Sequence, residues 1–317
     1  MEIVYAAPYV PPAPPVPLWV GMRVTWTGWD GSVWDLNDPS GGVCLIRAGV
    51  EGLAMPAFTE WVQSSPSVAG QWFRGAVADP RRVFWPLCVF QDASTQGWID
   101  LDRAFWKTMD PQKYGIWTIT TPDGSSRSLR CRFKDDGGHP FEHDPFERCW
   151  ATYGVALVAD APFWSGPEVS RVWNGNVLVD FFPGPPFHIS SGSTMANASI
   201  NNPGDEDAWP VWTIVGGSTD ASVGVGSSVV EVPFVVPAGK ALVVNTDPTV
   251  QTAVMYTYMP ATNDDPEILS NPVDRTVDLG TANFAPIPAG QDRRLNISMT
   301  GDGIIRAAIT PLYRRAW

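Results

Sequence analysis

Positive charge is in short supply. Lys and Arg number 21 against 33 Asp and Glu, which leaves a formal net charge of −12 and a pI near 4.6. That balance speaks against a protein that binds nucleic acid by neutralising phosphates, and equally against docking on an anionic membrane. It is compatible with a surface that nucleic acid passes without sticking. Charged residues of both signs make up only 17% of the chain, below the roughly 25% usual in soluble domains.

Histidine is rarer still, with three in 317 residues. No G-x-S-x-G elbow, phosphate loop or dinucleotide fingerprint stands in a usable context, so enzyme readings are poor. The four cysteines (Cys44, Cys88, Cys131, Cys149) are widely spaced and form no C-x-x-C pair. In a reducing compartment they read as small buried hydrophobes rather than disulfides, and the sequons at Asn197 and Asn296 then carry no meaning. Long apolar runs are absent, and nothing approaches the ~18 residues that span a bilayer. The start, "MEIVYAAPYVPPAPPVP", lacks the basic n-region and unbroken apolar core of a signal peptide. A soluble protein made in a cytosol is the expectation.

Gly (29), Pro (31) and Trp (16) are plentiful, and 44% of the residues are hydrophobic. This composition suits many short strands joined by turns, so the predicted class is mainly β. The length allows two domains. Residues 1–17 read as a Pro-rich arm, extended as polyproline II. Strands are expected in "MRVTWTG", "WDGSVWDL" (Asp30-Gly31 turning the hairpin), "GVCLIRAGVEGL" and "RRVFWPLCVF", where Pro86 favours an edge or a bulge. One segment breaks the pattern. Trp98, Leu101, Phe105 and Met109 recur at spacings of three, four and four, which predicts one amphipathic helix capped by Ser94 or Thr95 and stopped by Pro111.

A strand pair is expected around Pro122-Asp123-Gly124-Ser125. Within it Leu129, Cys131 and Phe133 alternate with Arg130, Arg132 and Lys134, giving one buried and one basic face. "YGVALVADAPFW" reads as another strand, and "WSGPE" as a domain boundary. Beyond it lie strand-like segments "VWTIVGG", "SSVVEVPFVVPAG", "KALVVNTDP", "TAVMYTYMP", "RRLNISMTGDG" and "IIRAAITPLY". Turn signals between them recur at the intervals of a β-sandwich. The Gly-rich "VGGSTDASVGVGSS" is expected to be a loop.

Two clusters invite chemistry. Cys131, His139, His143 and Cys149 form a C-x7-H-x3-H-x5-C set of zinc-compatible residue types. However, Cys131 falls on the apolar side of its strand, so the reading is a core cysteine with loop histidines. The second cluster is Asp205-Glu206-Asp207 in "NNPGDEDAWPVW". It lacks the alternation of a calcium loop, and adjacent carboxylates on a turn cannot face each other across a sugar as a glycosidase requires. Trp209 and Trp212 are candidates to stack on a sugar ring, though core positions are the commoner fate of such residues. No metal, cofactor-binding or catalytic residue is assigned.

"NNPGDEDAWPVWTIVG", "VPAGKALVVNTDP", "FAPIPAGQDRRLNISMTGDG" and "ITPLYRRAW" resemble the C-terminal half of distal tail proteins, minor tail proteins of long-tailed actinobacteriophages. "GIWTITTPDGSSRSLRCRF" followed by "YGVALVADAPFW" is similar to that family's N-terminal domain. The resemblance spans most of residues 20–317 and leaves out the arm. It implies a β-rich ring-forming domain over residues 18–165 and a galectin-like β-sandwich over 166–317. It also implies a homo-hexameric ring at the tail tip of the virion. That ring would join the major tail (tube) protein to the tail-associated hub protein and the receptor-binding proteins, with DNA passing through. The acidic run becomes a fold signature, with Pro203-Gly204-Asp205 turning the chain and Trp209 and Val211 entering the core. "INNPGD" lacks the His and Arg of a sugar-binding galectin, so the shape does not imply lectin activity. A carbohydrate-binding module is the alternative, and a glycoside hydrolase a third reading.

Overall fold

The computed structural model describes residues 21–46, 49–137, 143–174, 195–262 and 265–317. The Pro-rich arm and His139 lie outside them. The architecture is mainly β, as the composition predicts.

The first half opens with β1 (Arg23–Thr27), β2 (Val33–Asp35), β3 (Val43–Leu45), β4 (Phe58–Ser65), β5 (Val68–Ala78) and β6 (Arg81–Phe90). There follow helix α1 (Thr95–Trp106), β7 (Gly115–Thr120), β8 (Ser126–Asp135), the single turn α2 (Pro145–Arg148), β9 (Trp150–Ala159) and β10 (Trp164–Ser165). Seven of these strands run in the order β2-β1-β7-β8-β9-β6-β3. The amide of Leu45 donates to the carbonyl of Leu36 at 2.8 Å, which brings β3 back toward β2 and nearly closes the sheet into a barrel.

Alternation fills its interior. In β6 Val83, Trp85, Leu87 and Val89 are buried, and in β7 Trp117 and Ile119. Trp26, Trp85, Trp117 and Trp164 form a chain of ring contacts 5.0–5.4 Å between centroids. The indole N–H of Trp26 donates to the Thr108 hydroxyl, while those of Trp85, Trp117 and Trp164 are buried with no hydrogen-bond partner among the described residues. Helix α1 lays Trp98 and Phe105 on this core, and the Ser94 hydroxyl caps it by accepting from the amide of Gly97.

Pro86 departs from expectation. It sits in an inner strand, opposite Gly154 of β9. Its carbonyl accepts from Ile46 just where β3 ends, so its missing N–H faces the side where the neighbour leaves off.

The second half comprises β11 (Val169–Asn174), β12 (Ser199–Asn201), β13 (Val211–Val215), β14 (Ser218–Val225), β15 (Ser228–Val232) and β16 (Lys240–Asn245). It continues with β17 (Thr252–Met259), β18 (Ile268–Asp274), β19 (Asp292–Arg294), β20 (Ser298–Gly301), β21 (Ile304–Ile309) and β22 (Leu312–Tyr313). A six-stranded sheet β11-β21-β13-β16-β17-β18 and a three-stranded sheet β15-β14-β20 enclose one core. Trp212, Ile214, Leu242 and Ile305 contribute to it from the larger sheet, Val223 and Val230 from the smaller.

Two expectations are corrected here. The Gly-rich stretch is not a loop: Ser218–Val225 is the middle strand β14, because Ala221, Val223 and Val225 alternate into the core. Gly224 is required by a close approach, since a Cβ there would stand 2.0 Å from the carbonyl oxygen of Ser228. Also, in "AWPVW" the buried residues are Ala208, Pro210 and Trp212, whereas Trp209 and Val211 are only half-buried, because the pleat of β13 turns Trp212 and Ile214 inward.

Candidate assembly surface

The acidic run is a clasp. The amides of Asp205 and Glu206 donate to the carbonyl of Leu312 at 2.8 and 3.2 Å. In return the Asp205 carboxylate accepts from the amide of Arg314 at 3.0 Å, and Glu206 Oε1 accepts from Arg314 Nε at 2.5 Å. The Glu206 contact raises the Arg314 pKa. Asp207 accepts from the amide of Ala289. Gly204 permits the approach, because a Cβ there would lie 2.8 Å from the Leu312 backbone. The local turn is held by the buried Asn202, whose amide group bonds the carbonyls of Glu206 and Ile287 and accepts from Gly204.

What the clasp holds is residues 312–316, which leave the second core and enter the first. Leu312 and Tyr313 pair with Ser165 and Trp164. Ala316 is buried in the barrel core, and its amide donates to Leu53. Arg127 stacks on the Tyr313 ring and donates to the carbonyl of Arg315. Beneath this strap lies Arg81, only 2% exposed. Its guanidinium donates to the carbonyls of Pro162 (2.6 Å), Gly52 (2.8 Å), Arg314 (2.8 Å) and Ala54. Burial lowers its pKa to about 10, well above neutral, so it carries its charge.

Of the zinc-compatible set, His139 lies outside the described residues, and Cys131, His143 and Cys149 form no group of three. Cys131 is in the barrel core, where burial raises its thiol pKa. Cys149 caps α2, its thiol beside the Thr95 hydroxyl and the Phe146 carbonyl. Among the described residues no group of three or more potential metal ligands comes together. Among those residues, too, no helix is long and apolar enough to cross a membrane.

Among the described residues the hairpin β4–β5, which sequence reasoning passed over, pairs with no other strand. It pairs only with itself, from Phe58 opposite Ala78 to Ser65 opposite Val68, with a bulge between Trp61 and Val62. Nearly every residue on both of its faces is exposed. Trp61 (53%), Trp72 (47%) and Phe73 (64%) are exposed, together with Val62, Val68 and Val77. A lone two-stranded ribbon is at best marginally stable in water, and a run of exposed aromatics marks an interaction surface. The signal was present as two strand-like runs either side of Ser64-Ser65-Pro66-Ser67. What the sequence could not show was that both faces would be exposed among the described residues.

With this arrangement in view, the fold has counterparts among solved structures. The chain is similar in fold to the Dit protein of phage SPP1. The two align with a TM-score of 0.60 at 13% identity, over 91% of this chain and 98% of that one. The SPP1 protein is presented as a paradigm of the hub adsorption apparatus in phages that infect Gram-positive bacteria. Chains from the phage P2 baseplate in its activated conformation, with Ca and with Sr, align at a TM-score of 0.53 and 12% identity, again over 91% of this chain and 98% of theirs. No family model matches the sequence, and no curated protein matches it.

Proposed function

We propose that this protein is a non-enzymatic structural subunit of a phage tail tip. In this reading six copies form a ring within the virion, joining the tail tube to the tail-associated and receptor-binding proteins and leaving a passage for DNA. Residues 18–165 would form the ring, residues 166–317 a galectin-like sandwich attached to it, and the arm at 1–17 would clasp a neighbour. The observation that carries the reading is the hairpin Phe58–Ala78, a ribbon bearing exposed Trp61, Trp72 and Phe73 and paired with no other strand among the described residues, on a chain that shares the fold of phage hub proteins. A ring of identical subunits supplies each ribbon with an equivalent partner. The net charge of −12 suits a lumen that repels the phosphate backbone.

The test is the mass of the purified chain in solution by light scattering, with negative-stain images of the same peak, alone and mixed with the tube protein. A closed six-fold ring in either sample is the expected result. A monomer in both, combined with saturable binding to host cell-wall glycans, would overturn it in favour of a carbohydrate-binding module.

A further inference from the structure

We propose that Cys44 and Cys88 form a reversible disulfide across β3 and β6, a covalent modification site on the barrel wall. The two residues are direct register partners, so their side chains leave the same face of the sheet. That face is the outside of the barrel, since the flanking Val43, Leu87 and Val89 point inward. Both thiols are half-buried, within reach of a small reagent, and both are free.

The hydrogen bonds Phe90 to Gly42 and Ile46 to Pro86, each 2.8 Å, bracket the pair two residues away on either side. They place it in the hydrogen-bonded class of antiparallel neighbours, with Cα atoms ~5.5 Å apart. A disulfide accepts Cα separations of about 4.4–6.8 Å but needs Cβ atoms closer than such a pair normally holds them. The strands must therefore twist slightly to close it. β3 is three residues long and can shift toward β6 more readily than a long strand could. A bond made under such strain is reopened easily by thiols.

The chemistry is an exchange with a low-molecular-weight disulfide. One cysteine thiolate attacks that disulfide, forms a mixed disulfide and releases one small thiol. The second cysteine attacks the mixed disulfide, forming the Cys44–Cys88 bond and releasing the other small thiol. The protein is oxidised by two electrons, the reagent is reduced to two thiols, and the two protein protons end on them. Residues 45–87, the hairpin among them, then lie in a covalently closed loop, with β3 fastened to the barrel wall. The occasion for the change, passage from a reducing cytoplasm to an oxidising exterior, rests on the tail-tip reading. The thiol chemistry does not.

The experiment equilibrates the purified full chain in buffers of reduced and oxidised glutathione, then quenches, alkylates in denaturant and maps the peptides. The expected result is joint loss of alkylation at Cys44 and Cys88 as the buffer becomes oxidising, with a Cys44–Cys88 cross-linked peptide, while the buried Cys131 stays alkylated and Cys149 enters no cross-link. Reduced glutathione should restore both sites, and Cys88→Ser should leave Cys44 as a glutathione adduct or free. The proposal is overturned if both thiols stay free at the most oxidising ratio, if wild type stops at mixed disulfides, or if the bond forms only in denaturant. A positive result here with no ring in solution would leave this inference standing and count against the tail-tip reading alone.

Discussion

Replacing Arg81 should loosen the strap that holds residues 312–316 on the barrel. Arg81→Met keeps most of the side-chain volume and removes every donor. Four carbonyls then lose their partner: Gly52, Ala54, Pro162 and Arg314. Ala54 is exposed and can turn to water, which leaves three in partly buried surroundings. An unsatisfied buried acceptor costs ~1–3 kcal/mol, and part of the sum is returned because a buried cation no longer has to be desolvated. The expected net loss is about 2–4 kcal/mol, a large share of the ~5–15 kcal/mol typical of a folded protein. Arg81→Lys keeps the charge but not the planar fork, and should fall between the parent and Arg81→Met. Urea titration followed by tryptophan fluorescence reports the barrel, whose core holds Trp26, Trp85, Trp117 and Trp164. Hydrogen exchange at the Ala316 amide reports the strap itself. A Met variant within ~0.5 kcal/mol of the parent, with Ala316 equally protected, would refute the reasoning.

Four further outcomes follow from the geometry. Combined substitution of Trp61, Trp72 and Phe73 by Ser should leave subunit stability within ~0.5 kcal/mol, because these side chains are exposed, yet abolish oligomers in light scattering. Gly224→Ala forces a Cβ against the Ser228 carbonyl and should cost at least ~2 kcal/mol in denaturant titration. Deleting residues 312–317 removes the β22 pairing and the buried Ala316, and calorimetry should then resolve the barrel as a separate, earlier transition. Asp160 accepts from Arg132 at 2.8 and 3.0 Å and from the Tyr114 hydroxyl at 2.7 Å, which lowers its pKa. Its folded pKa is below the unfolded one, so its stabilisation is present above ~pH 4 and lost as pH falls through the folded value. Asp160→Asn should flatten that part of the acid limb in a pH series of thermal melts.

Local signals were legible where packing and pattern agree. The spacing of Trp98, Leu101 and Phe105 located α1, and Ser94 capped it as its residue type predicts, but the helix ends at Trp106, short of Met109 and of the expected stop at Pro111. Leu129 and Cys131 face the core and Arg130 faces water, as the alternation in β8 requires. Leu295 and Ile297 are buried between the exposed Arg294, Asn296 and Ser298, although the segment serves two strands rather than one. What failed was long-range. Glycine content disguised β14, because the sequence does not show that a neighbouring backbone must pass where a Cβ would stand. The acidic run was read as turning the chain, and its residues do bond the backbone around Leu312 and Arg314. That its partner was Arg314, 108 residues away from Glu206, lay beyond any local pattern. The exposure of the hairpin is a property of what does not pack against it, and no window of sequence reports that.

The strap also fixes an order of events during synthesis. The barrel strands up to Ser165 emerge from the ribosome well before Leu312, Tyr313 and Ala316, which complete the same core. At ~5–20 residues per second the interval is roughly 7–30 s. Through that time Arg81 lacks its acceptor at Arg314, and Trp164 lacks its strand partner Tyr313. The first core to be translated is therefore among the last to be finished. A product that terminates before residue 312 would carry an open barrel, ready to be recognised by proteases before it could enter an assembly.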